Sequence, residues 1–100
     1  MSTALTITTG HRPGGDLILT AIGEIDMSNA DAFAAALSDA RQNAGNTPFT
    51  VDLTRVEYLD SAGLAALFPH LEHVQLLATR LLGPVLTIAG LDELTTIQDR

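Results

Sequence analysis

Two kinds of apolar spacing divide this chain. Leu5 and Ile7 alternate with Thr6 and Thr8, which predicts a short first strand, and Gly10 to Asp16 follows with the turn chemistry of a hairpin. Leu17 to Ile25 is the second arm, an apolar strand interrupted at Gly23. The spacing then changes to that of a helix, with Ala30, Phe33, Ala34, Leu37, Ala40 and Ala44 on one face. Ser28 with Asp31 three residues on resembles a capping box, and Gly45 ends the helix ahead of Asn46-Thr47-Pro48. Phe49, Val51 and Leu53 begin a third strand, a short polar loop follows, and Leu64, Leu67, Phe68 and Leu71 return to helical spacing. A strand, helix and strand in this order imply a right-handed crossover and parallel pairing.

Pro69 predicts that the second helix stops or kinks near Phe68, because proline removes a donor and crowds the preceding turn. His73 to Ala78 then reads as a fourth strand and Thr79 to Ala89 as a helix, with Gly83-Pro84 either starting a shorter helix or kinking a longer one. Gly90-Leu91 closes that helix, and Thr95 to Ile97 reads as a last edge strand. A competing parse runs the second helix through Leu82 with a kink at Pro69 and makes Val85 to Ala89 the fourth strand. The first parse is preferred, since a proline deep in a helix breaks it more strongly than a Gly-Pro pair at a helix start. The expected fold is a small α/β domain: a mixed sheet of four or five strands with helices mainly on one face.

Composition narrows the function. At 100 residues the chain suits one domain, residues 1–100, and can bury roughly two-thirds of the surface its unfolded form exposes. Only four residues are aromatic, so Leu, Ile, Val and Ala build the core. The net charge is −7 and there is no Lys, which disfavours direct binding to nucleic acid or to an anionic membrane and suits a basic partner surface. Without cysteine there is neither disulfide nor thiol chemistry. No leader-like start and no apolar run near ~20 residues is present, so the expected location is the cytoplasm.

The chemistry concentrates at Asp60-Ser61-Ala62-Gly63-Leu64, where the third strand gives way to the second helix. Asp60 or Ser61 there can cap a helix by satisfying one of its first N–H groups. As a hydrolase nucleophile Ser61 would need a base and an orienting acid, and its surroundings lack the first glycine of Gly-x-Ser-x-Gly; His11, His70 and His73 all lie elsewhere in the sequence. His70, Glu72 and His73 are a weak metal set without a third ligand at a telling distance, and the two histidines read as solvated. Asp26 and Asp52 near strand ends admit an acid–base pair; the simpler reading has Asp26 organise the loop before the first helix, and Asp52 or the Thr54 hydroxyl bond nearby backbone. No Gly-rich phosphate cradle is present, and no cofactor is expected. A phosphorylated Ser61 would gain from the helix N-terminus but add about −1.5 to −2 charge beside Asp60.

Four segments in order resemble one family: Gly23-Glu24-Ile25-Asp26, Val51-Asp52-Leu53-Thr54, Asp60 to Leu64, and Gly90-Leu91-Asp92-Glu93-Leu94. The chain resembles a STAS domain of the bacterial anti-sigma-factor antagonist family. That resemblance implies a STAS-like fold and a binding role without catalysis. It implies a partner, an anti-sigma factor of the serine-kinase type, that phosphorylates Ser61 and so switches the antagonist off. Asp26, Glu57, Tyr58, Asp60, Ala62 and Gly63 are the expected partner-binding residues. Other roles open to a STAS domain are an accessory subunit of an ABC-type lipid transporter or a regulatory module of a larger signalling protein. A serine hydrolase is the alternative from another class. Pro69 and Gly83-Pro84 depart from the family pattern and alter the surface flanking Ser61.

Overall fold

The computed structural model describes residues 4–98. Five strands, β1 (Thr6–His11), β2 (Leu17–Ile25), β3 (Phe49–Leu59), β4 (Val74–Ala78) and β5 (Thr95–Ile97), lie in the sheet in sequence order. β1 and β2 form the antiparallel hairpin, and β2, β3, β4 and β5 are parallel neighbours. Helices α1 (Ala30–Ala44), α2 (Ser61–Leu67) and α3 (Gly83–Ile88) make the three crossovers. Because each crossover steps the sheet one strand further in the same direction, right-handed connections bring all three to one face. The expected mixed sheet is therefore present, with five strands.

Alternation decides what β2 buries: Leu19, Ala21 and Ile25 are inaccessible to solvent. Phe33, Leu37 and Ala40, at helical spacing on α1, pack over them and over Phe49, Val51 and Leu53 of β3. Leu67, Leu76 and Leu86 continue the same layer toward β5.

β3 departs from expectation. It continues for six residues past Leu53, through the stretch that reads as a polar loop, so Glu57 and Tyr58 are strand residues. Two register shifts against β2 explain this: Thr20 and Ile22 face Asp52 and Arg55, and Gly23 and Glu24 face Val56 and Tyr58. Each adds a residue to β3 and breaks the alternation, leaving Leu53 and Thr54 buried in succession. Gly23 sits at the second shift with φ +115°, and a β-carbon there would run into the carbonyl oxygen of Ala4. Only glycine meets both conditions.

The expected capping box on α1 is absent. Asn29 stands at the N-cap without a side-chain cap bond, and Ser28 is held instead by Asp26. Asp31 is an exposed first-turn residue, favourable to the helix dipole. After Leu67 the chain tightens into a 3-10 turn, Phe68–His73, with Pro69 near its start. Pro69 thus ends α2 within a residue of the expected point. Pro84 opens α3, which is the shorter of the two alternatives for that helix. Its end is closed by hydrogen bonds from Gly90 N–H to the Thr87 carbonyl and from Leu91 N–H to the Leu86 carbonyl, with Leu91 buried. Among the described residues no helix is long and apolar enough to cross a membrane.

Candidate functional site

β2 and β3 end side by side at the same edge of the sheet, where Ile25 faces Leu59 and the Asp60 N–H donates to the Ile25 carbonyl at 3.2 Å. The next residue of each strand is an aspartate. Asp26 and Asp60 therefore leave the sheet together, at the carboxyl edge of parallel strands, where α/β folds place their binding sites.

Each aspartate organises one helix entry. The Asp26 carboxylate accepts from the Ser28 N–H at 2.8 Å and from the Ser28 hydroxyl, while Asn29 Oδ1 accepts from the Asp26 N–H and Asn29 Nδ2 donates to the Glu24 carbonyl at 2.8 Å. The Ser28 hydroxyl, and then its N–H, stabilise the ionised carboxylate and lower the Asp26 pKa below its usual value. Asp60 is the N-cap of α2: its Oδ1 accepts from the Ala62 N–H at 2.9 Å and the Gly63 N–H at 3.2 Å. Replacing Asp60 by alanine is expected to cost about 1–2 kcal/mol, read from the urea midpoint, with Asp60→Asn recovering most of it.

Ser61 follows as the first residue of α2 and is exposed. The cap carboxylate belongs to Asp60, and the Ser61 hydroxyl makes no hydrogen bond to another described residue. Gly63 is buried: a β-carbon there would lie within contact distance of Leu59 Cδ1 and 2.8 Å from Ile25 Cγ2. It brings α2 down onto the ends of β2 and β3 and so sets the height at which Ser61 is presented.

Of the remaining expected residues, Ala62 is half-buried, and Glu57 and Tyr58 are exposed on the last residues of β3, Tyr58 paired with Glu24. Sequence reading misses a groove between α1 and α2. Met27, Ala30, Ala34, Ala62, Ala65 and Ala66 line it with Asp31. Met27 is 82% exposed beside it. Ala30 and Ala34 read as core positions from their helical spacing; in the fold they are half-buried at the groove.

Asp52 lies away from this edge and bonds locally, accepting from the Thr54 N–H at 2.9 Å and the Thr54 hydroxyl at 2.6 Å. His11 pairs with Leu17 at the start of β2, and His70 and His73 lie beside the last turn of α1, so the imidazoles sit toward the opposite edge from Ser61. Among the described residues no three His, Cys, Asp or Glu side chains gather as a metal set. His70 and His73 are not solvated as expected. The 3-10 turn points His70 inward to 6% exposure, and His73 Nε2 meets Arg41 Nη2 at 2.9 Å.

Burial first, then Arg41 and His73, lowers the His70 pKa from its usual 6.5. Below that value the unfolded chain binds more protons than the folded one, so stability falls as pH drops from about 6.5 toward the native pKa. Urea midpoints at about pH 7.5 and pH 5.5 are expected to show this loss in the wild type and a smaller one in His70→Gln.

A small mixed sheet with its helices over one face, and an exposed serine opening the second helix beside an apolar groove, defines the class of α/β module. Residues 9–96 match the family model described as MlaB, STAS domain, and the chain belongs to the STAS domain family. An anti-sigma factor antagonist from Mycobacterium paratuberculosis shares the fold at a TM-score of 0.81 and 24% identity, over 97% of this chain and 89% of the other. The anti-sigma factor antagonist SpoIIAA in its unphosphorylated form does so at 0.74 and 17%, over 93% and 88% of the two chains. An antisigma-factor antagonist STAS domain from Rhodobacter sphaeroides matches at 0.52 and 17%, over 74% and 84%. Comparison with curated proteins finds no match by sequence.

Proposed function

We propose that the chain is an anti-sigma factor antagonist. Unphosphorylated Ser61 and its surroundings dock on an anti-sigma factor of the serine-kinase type, which releases its sigma factor, and phosphorylation of Ser61 by that partner ends the contact. The observation that carries this reading is the exposed Ser61 at the start of α2, capped by Asp60 and bordered by the groove. An exposed hydroxyl that no other described residue holds is accessible to a kinase, and the fold is one shared with antagonists.

Asp26, Glu57, Tyr58, Asp60 and Ala62 contribute side chains to the contact, and Gly63 contributes through the close packing that fixes α2. The acidic rim suits a basic partner surface, while Tyr58 and Met27 supply apolar area. The role is binding and not catalysis, and its place is the cytoplasm.

A second reading keeps the surface and changes the partner: a STAS accessory subunit of an ABC-type lipid transporter. One observation favours it, that the matching family model is described by MlaB and not by an antagonist. Pull-down from the source cell followed by mass spectrometry separates the two. Recovery of an anti-sigma factor supports the first reading, and recovery of a transport ATPase in its place overturns it.

A further inference from the structure

The chain has five arginines, three histidines and no lysine, yet Arg41, His70 and His73 converge at the end of the domain away from Ser61. They line a shallow pocket between the last turn of α1 and the 3-10 turn, together with Ser38, Gln42 and Asn46, and no carboxylate lines it. In a protein of net charge −7 that is an unusual local balance.

The hydrogen bonds show what the cluster lacks. A guanidinium only donates, so the contact of Arg41 Nη2 with His73 Nε2 at 2.9 Å uses that ring nitrogen as an acceptor. The second contact of Arg41, from Nη1 to the Pro69 carbonyl, is long at 3.3 Å. His70 is 6% exposed and its buried Nδ1 has no hydrogen-bond partner among the described residues. Buried side-chain polar atoms are nearly always paired, so this one marks an unfilled requirement. Arg41 also offsets the dipole at the end of α1, which accounts for one cation there but not for two imidazoles beside it.

We propose that this pocket binds a small oxyanion of the phosphate type, free or as a phosphate monoester. The Arg41 fork turns from His73 onto the anion, leaving the His73 ring free to face it as well. The anion's charge offsets the burial and the neighbouring cation that disfavour the protonated form of His70, which lines the pocket. Binding is therefore coupled to proton uptake and is independent of the Ser61 edge.

The test is titration of the full chain with the histidine ring resonances followed by NMR. Sulfate serves as the probe across pH, since it stays a dianion, with chloride at matched ionic strength as control. The expected result is saturable movement of His70 and His73 while His11 stays still, with affinity rising up to about tenfold per pH unit below neutrality for each proton taken up. Arg41→Gln is expected to weaken binding at least about tenfold. Inorganic phosphate and glycerol phosphate, compared at one pH, assign the source: tighter binding of the ester points to a phosphorylated metabolite and equal binding to free phosphate, and either supports the site. The wild-type titration decides even if Arg41→Gln loosens the turn. Equal movement of all three histidines, or the same response to chloride as to sulfate, overturns the proposal.

Discussion

Replacing Gly63 by valine is expected to destabilise the domain by about 3 kcal/mol, near the upper end of the range for overfilled cores. The first added carbon alone conflicts with Leu59 Cδ1 and comes within 2.8 Å of Ile25 Cγ2. Leu59 can rotate, but Ile25 is fully buried and β-branched, so α2 must lift from the sheet. For a domain of this size each kcal/mol lowers Tm by about 4–8 °C, which calorimetry resolves easily. Gly63→Ala is expected to cost less, because alanine regains about 1 kcal/mol of helix propensity. A Gly63→Val protein with unchanged Tm would contradict the packing assigned to α2. The partial variant is also informative for function: if the height of α2 sets the presentation of Ser61, Gly63→Ala weakens partner binding beyond what its stability loss explains.

The second large effect is on binding. Ser61→Glu is expected to weaken the complex with the anti-sigma factor about 10- to 100-fold, equivalent to roughly 1.4–2.8 kcal/mol, while leaving the urea midpoint within about 0.5 kcal/mol of wild type. The reason is local. A carboxylate at Ser61 stands beside Asp60 and the alanine-lined groove, so docking has to strip water from two adjacent negative groups against an apolar wall. The helix N-terminus offsets part of that cost in the free domain, which is why folding is spared. Ser61→Ala removes only a hydroxyl and is expected to bind within a few-fold of wild type. Titration calorimetry of the three proteins against one candidate partner measures both differences; three equal affinities would remove Ser61 from the interface.

Much of the fold was legible because most elements follow one rule each. The alternation from Leu17 to Ile25 matches β2 end to end, and Phe33, Leu37 and Ala40 bury the face of α1 that their spacing indicates. Pro69 and Gly83-Pro84 placed the end of α2 and the start of α3 through the loss of a backbone donor. The failures came where a contact that periodicity does not encode overrode the simple pattern. Past Leu53 the sequence lost its alternation, but pairing with β2 carried β3 on to Leu59 through two extra residues, which periodicity cannot register. Ser28 had the right spacing for a capping box, yet Asp26 took its hydroxyl. His70 read as solvated because nothing in Pro69-His70-Leu71-Glu72-His73 signals which side of a 3-10 turn faces in. At the site, Ser61 and its cap were readable from the strand-to-helix transition, whereas the groove was not, because alanines at helical spacing look the same in a core and at a cleft wall.

The central claim is that Ser61 switches a docking surface. The most direct measurement incubates the chain with an anti-sigma factor recovered by the pull-down and ATP, maps any phosphate by mass spectrometry, and follows the complex by size-exclusion chromatography. The account predicts a single phosphate on Ser61 and loss of the complex as it accumulates, with Ser61→Ala unmodified and still bound. A phosphate elsewhere, no phosphate at all, or a complex that survives full modification of Ser61 would contradict it.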